Sequence, residues 1–294
     1  MKVFMTGASG YVGSAVAHEL LTNGHTVLAL TRSKEAAAKV QAFASSTKIL
    51  EGDLENLEAL KKGAAECDGI IHLGFVHDFD HYQECSEIDR AAVLAMLDVI
   101  KGTDKPFVYT NSMLQLPQGV PIDEEVQPAT SKYRGQTESI TLSYKDQGVR
   151  AISVRLPPSV HDNGDVNFIP ALIEVAKKTN KSAYIGGGEN VWSTVQRLDA
   201  ARLYRLALEK GKAGSAYHAV AEEGVKTKDI ATAIGEALSV PIEAVEAALA
   251  PAHFGFMAAF FTMGGLTSSA ITRRELGWEP REIALLDDIK TNYL

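Results

Sequence analysis

Gly7, Gly10 and Gly13 recur at every third position between an apolar run, Val3–Met5, and a helical run that opens at Ser14. That arrangement suits a strand turning tightly into a helix. Gly7 permits the turn, and Gly10 lets backbone N–H groups reach a pyrophosphate with no side chain between. Gly13 lets the helix lie close on the strand. A phosphate then rests on the positive end of the helix. The chemistry so defined is dinucleotide binding, although the spacing is Gly-x-x-Gly-x-x-Gly and not the commoner Gly-x-Gly-x-x-Gly. A second signal follows the next apolar run. Where an acidic residue reads ribose hydroxyls in NAD-binding folds, this chain has Thr31-Arg32-Ser33, with no carboxylate before Glu35. A guanidinium holds a 2′-phosphate bidentately and Ser33 can add a hydroxyl, so the pattern predicts NADP over NAD. An arginine at a strand end is also at home simply in solvent.

A third group lies at Thr130-Ser131-Lys132-Tyr133-Arg134. In a helix Thr130, Tyr133 and Arg134 share one face. Arg134 supplies fixed positive charge but no proton, because guanidinium does not deprotonate in proteins. Tyr133, Thr130, His161 or water is left to supply a proton, and Tyr133 reads equally well as a packed or solvated tyrosine.

Positioning these groups takes an alternation of strands and helices, and the first half of the chain has it. Strands are predicted at Val3–Met5, Thr26–Leu30, Lys48–Leu50, Gly69–Leu73, Phe107–Thr110 and Val149–Val154. Helices are predicted over Ser14–Leu21, from about Asn56, over Ser86–Lys101 and over residues 129–147. The pattern implies a doubly wound parallel sheet with helices on both faces. Beyond residue 160 a smaller lobe is expected, with short strands at Tyr184-Ile185, Val195–Leu198 and Tyr217–Val220 and with Trp192 in a loop. Asp199 is expected to cap a helix, Ala200–Lys210. The division is 1–160 for the dinucleotide domain, with segments from about 183–220 returning to it, and 161–294 mainly for the substrate lobe. The aromatic stretch Pro251–Gly265 fits either an apolar pocket or a packed helix.

Thr6-Gly7-Ala8-Ser9-Gly10-Tyr11-Val12-Gly13 resembles the cofactor loop of the extended and atypical short-chain dehydrogenases/reductases, the epimerase- and dehydratase-like family. The resemblance implies a Rossmann-type fold and places Ser9, Tyr11 and Val12 with the glycines at the cofactor. It also implies that Asp53 reaches the adenine amino group while Leu54 packs on the ring, although Asp53 serves equally well as a helix N-cap. Leu73, Gly74 and Phe75 then lie along the cofactor ribose, and His77 faces substrate or solvent. The strand ending Tyr109-Thr110-Asn111-Ser112 carries the family's catalytic hydroxyl at Ser112, beside Asn111, where it meets a substrate carbonyl or its alkoxide. Arg155-Leu156-Pro157-Pro158-Ser159-Val160-His161 resembles the turn that lines the nicotinamide, with Pro157 against the ring and His161 in a tyrosine slot. Leu276-Gly277-Trp278-Glu279-Pro280 resembles the family's C-terminal ending. One feature departs from the family. Its Tyr-x-x-x-Lys pair is missing: Thr130 and Arg134 stand there in one register, Tyr133 and Thr137 in the other. A degraded tetrad of this kind fits the atypical branch. Losing a positioned general acid costs roughly 10²–10⁴-fold in rate, which leaves a slow or specialised reductase possible.

A chain of 294 residues, 46% hydrophobic and 22% charged, can bury a large core. A formal charge of −8 argues against a nucleic-acid surface or an anionic membrane as main partner. Cys67 and Cys85 have no metal-ligand spacing around them, so no metal is expected and a reducing, cytoplasmic setting is. No apolar run reaches ~20 residues, which excludes a membrane-spanning helix on the pattern. The expected function is NADPH-dependent reduction of a carbonyl, or a similar polarised double bond, on a small, fairly apolar substrate. An epimerase or dehydratase, or a non-catalytic NADP-binding protein, are the alternatives. A monomer or a homodimer built on the helices at 86–101 and 129–147 fits equally.

Overall fold

The computed structural model describes residues 1–78, 80–129 and 133–293. Thr130, one of the proton-donor candidates, lies outside the described residues. Seven strands form a parallel sheet: β1 (Lys2–Thr6), β2 (Thr26–Thr31), β3 (Lys48–Glu51), β4 (Gly69–His72), β5 (Pro106–Ser112), β6 (Arg150–Leu156) and, after β7 (Ser159–His161), β8 (Ser182–Ile185) and β9 (Val191–Gln196), β10 (Ser215–His218). Their spatial order is β10-β6-β5-β4-β1-β2-β3. Two further strands, β11 (Glu222–Lys226) and β12 (Ile242–Val245), belong to smaller sheets ordered β11-β9-β7 and β12-β8. The chain order reverses direction between β1 and β4. In doubly wound sheets the crevice at the carboxyl ends of such a pair is where ligands bind.

Helices α1 (Tyr11–Thr22), α2 (Lys34–Phe43), α3 (Leu57–Glu66), α4 (Tyr82–Val99) and α5 (Tyr133–Ser143) follow strands β1 to β5 in turn. The later helices are α6 (Phe168–Thr179), α7 (Arg197–Lys210), α8 (Thr227–Leu238), α9 (Ala250–Phe254), α10 (Met257–Thr262), α11 (Ala270–Leu276) and α12 (Leu285–Asn292). Alternate residues of β1 serve different faces of the sheet. Val3 and Met5 pack with Val16 and Leu20 of α1 and Leu203 of α7, whereas Phe4 packs with Leu60 of α3 and Met96 of α4. Both faces are therefore covered, which explains an apolar run without alternation.

The smaller lobe has a core of its own, in which Ile169, Trp192, Ile230, Phe254, Met257, Phe261 and Leu285 are buried together. Several details differ from the sequence expectation. Trp192 lies inside β9, fully buried, and not in a loop; its indole N–H donates to the Met263 carbonyl at 3.0 Å. Of the segments between 183 and 220, only β10 joins the seven-stranded sheet. Asp199 sits in the first turn of α7 and not at its cap, which Gln196 supplies. The Asp199 carboxylate instead accepts the N–H groups of Arg281 and Glu282, pinning the segment after Trp278. Asp53 is not the cap of α3 either. It accepts the N–H groups of Glu55 and Asn56 in a turn, and Asn56 provides the cap. Helix α4 begins at Tyr82, a full turn before the predicted Ser86, and this brings Tyr82 into a rigid element.

Candidate active site

The glycine turn sits in the crevice between β1 and β4. Gly7 has φ +73°, and a Cβ there would come 2.7 Å from the Gly74 nitrogen, so only glycine fits. A Cβ on Gly13 would come 2.0 Å from the Gly7 carbonyl oxygen, which lets α1 lie directly on the turn. Gly10 caps α1 with extended backbone and no side-chain hydrogen bond, so the first N–H groups of a twelve-residue helix open toward the crevice. Gly10 is exposed, and Ser9, Tyr11 and Val12 are half-buried around it. The floor is shared with the loop after β4. Thr6 Oγ1 accepts the Gly74 N–H at 2.9 Å, and Thr6 and the Leu54 side chain together fill the space a Cβ on Gly74 would need. Leu73, Gly74 and Phe75 are half-buried along this loop. At the end of β2, Arg32 is exposed and Ser33 caps α2, its hydroxyl accepting the Ala36 N–H at 3.2 Å. This cradle fits a dinucleotide: a bare helix N-terminus, walled by glycines whose side-chain space is already taken by backbone.

The opposite side of the crevice carries a buried polar chain. The Thr6 hydroxyl lies 2.8 Å from His72 Nδ1, and His72 Nε2 lies 3.1 Å from Asp89 Oδ1. The Asp89 carboxylate can only accept, which puts a proton on Nε2; in the neutral ring Nδ1 then accepts from the Thr6 hydroxyl. The Tyr109 hydroxyl donates to Asp89 at 2.8 Å, and Arg134 Nε donates to the Tyr109 oxygen at 3.2 Å. Arg134 also donates to the Thr110 carbonyl, lies 3.7 Å from Asp89 and stacks on the Phe75 ring at 4.4 Å. Burial works to raise the Asp89 carboxyl, but Arg134, His72 and Tyr109 outweigh it and hold it below the usual carboxylate range. His72, Asp89 and Tyr109 are all fully buried, so they hold Arg134 in place and do not meet a ligand themselves. Their partners lie 17 to 66 positions away, and no local spacing announces them.

Ser112 ends β5 half-buried and caps the short turn Met113–Gln115, its hydroxyl accepting the Leu114 N–H at 3.2 Å. Asn111 is buried. Its carbonyl accepts the Ser112 N–H at 2.9 Å and its amide donates to Glu138, so it braces the serine turn and its amide group does not open onto the crevice. Glu138 in turn pairs at 2.7 Å with Arg155, and neither side chain is exposed.

Two proton-donor candidates stand elsewhere. His161 is 1% exposed, with Nδ1 2.7 Å from Asp288 on α12. A side chain that meets a ligand must show surface in the ligand-free protein, so His161 ties the C-terminal helix down and does not reach the crevice. Tyr133 is 41% exposed and donates to Gln83 at 2.8 Å. Pro157 is buried, and Pro158 borders a small apolar pocket with Met113, Leu114, Ile122 and Gly265. Tyr11 donates to the Asp162 carbonyl at 3.2 Å, which links the glycine turn to the loop after β7. Among the described residues no group of three or more His, Cys, Asp or Glu side chains is placed to hold a metal.

The seven-stranded parallel sheet, the glycine turn at its switch point and the hydroxyl at the end of β5 define a Rossmann-type, nicotinamide-dinucleotide-dependent class of protein. Residues 3–221 match the model of the NAD dependent epimerase/dehydratase family, and the chain belongs to that family, within the extended short-chain dehydrogenases/reductases. The uncharacterized protein YLL056C of Saccharomyces cerevisiae is 54% identical over 295 residues, covering 100% of this chain and 99% of that one. A 4-hydroxy-2-methyl-3-oxo-4-farnesyl-3,4-dihydroquinoline-1-oxide ketoreductase of Stigmatella aurantiaca is 28% identical over 272 residues, 87% of this chain and 80% of its own. The crystal structure of UDP-glucose 4-epimerase from Thermotoga maritima superposes with a TM-score of 0.78 at 18% identity, covering 99% of this chain and 97% of that one, which shows the shared fold. Members of the family are oxidoreductases, epimerases and dehydratases of the short-chain dehydrogenase/reductase type that bind nicotinamide dinucleotides.

Proposed function

We propose that the protein is an NADPH-dependent reductase of a carbonyl, or a similar polarised double bond, on a small and fairly apolar substrate. The observation that carries this reading is the chemistry of the narrow recess directly after Ser112, about 10 Å³ in the ligand-free protein. Met113, Leu114, Pro117, Val120, Ile122 and Pro158 line it together with the uncharged Gln118, Ser193 and Thr267, and none of its lining residues is ionisable. A nucleotide-sugar diphosphate calls for cations at that end of the crevice; an apolar carbonyl compound does not. The similarity to a ketoreductase supports the same reading.

When bound, the reduced nicotinamide supplies the hydride equivalent. The chain's own part is to hold and polarise. Gly7, Ser9, Gly10, Tyr11, Val12 and Gly13 cradle the pyrophosphate, while Arg32 and Ser33 take the 2′-phosphate and set the preference for NADP(H). Asp53 and Leu54 flank the adenine; Leu73, Gly74 and Phe75 line the ribose. Arg134 supplies fixed positive charge beside that ribose, held in place by Tyr109, Thr110 and Phe75. Ser112 donates to the substrate oxygen as negative charge develops there. The two lobes, 1–160 and mainly 161–294, enclose the substrate, in a monomer or homodimer. A reducing, cytoplasmic setting is supported by two cysteines that are buried and unpaired. The test is NADPH consumption by the purified protein with a panel of aldehydes, ketones and enones. Turnover of at least one, faster with NADPH than with NADH, is expected. Tight NADP⁺ binding with no turnover of any member points to a non-catalytic binding protein.

A further inference from the structure

The start of α1 is gripped by a cation from another helix. Arg197 opens α7, 186 positions beyond the residue it holds. Its Nε donates to the Tyr11 carbonyl at 2.7 Å and its Nη2 to Ser14 Oγ at 2.7 Å, while the guanidinium stacks on the Tyr11 ring at 4.6 Å. Ser14 Oγ in turn donates to the same carbonyl at 3.1 Å. The first turn of α1 is thus fixed from outside its own helix, at the residue that follows Gly10. We infer that Arg197 is the positioning residue of the cofactor cradle: it sets the start of α1 for a diphosphate and joins it to the loop after β7, so that cofactor binding steadies that loop. The inference rests on dinucleotide binding and not on the reductase reading.

Electrostatics favours the same assignment. A guanidinium beside the positive end of a helix is unfavourable alone, and the first turn of α1 holds no carboxylate to offset it. Among the described residues the carboxylate paired with Arg197 is Asp162, 3.8 Å away in the loop after β7. An anion on α1 relieves the excess of positive charge, so it binds more tightly for the presence of Arg197 and in turn holds Arg197 in place. The loop is joined to α1 a second time, because the Tyr11 hydroxyl donates to the Asp162 carbonyl at 3.2 Å. Burial above all pushes the Tyr11 phenol far up, so it stays a donor at ordinary pH. The loop also meets the end of the chain: the Asp162 N–H donates to the Tyr293 hydroxyl at 3.3 Å, and that hydroxyl donates to Asp165 at 2.8 Å. Arg197, Tyr11, Asp162 and Tyr293 therefore run unbroken from the cradle to the residue after α12, a helix whose Ile289 lies in the core of the smaller lobe.

Calorimetric titration with NADP⁺, NAD⁺ and ADP-ribose, beside hydrogen–deuterium exchange of the 162–165 loop, tests the clamp without a substrate. Arg197→Met keeps an apolar stem and is expected to weaken all three ligands about tenfold, because all three carry the diphosphate. The ratio of NADP⁺ to NAD⁺ affinity stays within twofold of the wild type, since Arg32 is untouched. Saturating NADP⁺ is expected to slow exchange in the 162–165 loop of the wild type by about threefold or more, and not in Arg197→Met. A residue with only a packing role does not govern that response. Should Arg197→Met fail to fold, Arg197→Lys carries the test: it keeps the charge without the two-point grip, and the same losses are expected at about threefold. Affinities within twofold of the wild type in the folded variant, a loss confined to one ligand, or loop protection that survives in it overturns the inference and leaves the cradle standing. Failure of the wild type to bind any of the three ligands overturns the cradle itself.

Discussion

The two sides of the crevice are built on different principles. The cofactor side is backbone: a turn in which Gly7 and Gly13 exclude a Cβ and Gly10 leaves the end of α1 bare. The opposite side is side chain: Thr6, His72, Asp89, Tyr109 and Arg134 reach one another from β1, β4, α4, β5 and α5. A backbone cradle depends on a few adjacent positions and tolerates change elsewhere. A side-chain network depends on several distant elements at once, so a change in any one of them is felt while the cradle stays fixed. This difference explains a chain that keeps the family's cofactor loop yet lacks its Tyr-x-x-x-Lys pair.

The largest expected effect comes from removing the support behind the serine. Glu138 holds both Asn111 and Arg155 with neither partner exposed, so Glu138→Leu leaves a buried guanidinium uncompensated. A loss of about 3–5 kcal/mol in urea unfolding is expected, and a loss under about 1 kcal/mol would show that the pair carries little. Ser112→Ala separates the two sides directly. Its kcat on any reduced carbonyl is expected to fall roughly 10²–10³-fold with NADPH affinity within twofold. An equal loss of NADPH affinity would merge the two sides into one. Arg32→Ala acts only on the cofactor side, raising the Kd for NADPH about tenfold, near 1.4 kcal/mol, and leaving NADH unchanged. Equal effects on both cofactors would remove Arg32 from the reading of the 2′-phosphate.

A separate effect is on pH. His218 Nδ1–H donates to the Ser268 carbonyl at 2.8 Å, so Nε2 accepts from Arg155 at 3.2 Å, and the ring must stay neutral. Burial first, and the Arg155 guanidinium second, push its pKa down to about 3. The unfolded chain titrates this histidine near pH 6.5, so between those values it binds a proton the native state does not. Its contribution to stability is intact above about pH 6.5 and is lost as the pH falls toward 3. Urea midpoints at pH 7 and pH 5 should differ more in the wild type than in His218→Gln; equal differences would contradict the burial of a neutral ring.

How much of this the sequence shows follows the same division. The glycine turn and the strand ends that carry Arg32 and Ser112 are legible because each depends on a few neighbouring residues. Asp89 is not, because a carboxylate on an amphipathic helix reads as a solvated face until His72 and Tyr109 close on it. His161 misleads for the opposite reason. A polar residue in a familiar turn looks catalytic until Asp288, 127 positions on, takes its imidazole.

Calorimetric titration of the purified protein with NADPH and with NADH tests the glycine cradle and Arg32 together. A guanidinium at the end of β2 and an uncapped α1 predict saturable NADPH binding, with NADH weaker by about tenfold or more. Heat from neither cofactor would contradict the cradle itself, and equal affinity for the two would contradict the assignment of Arg32.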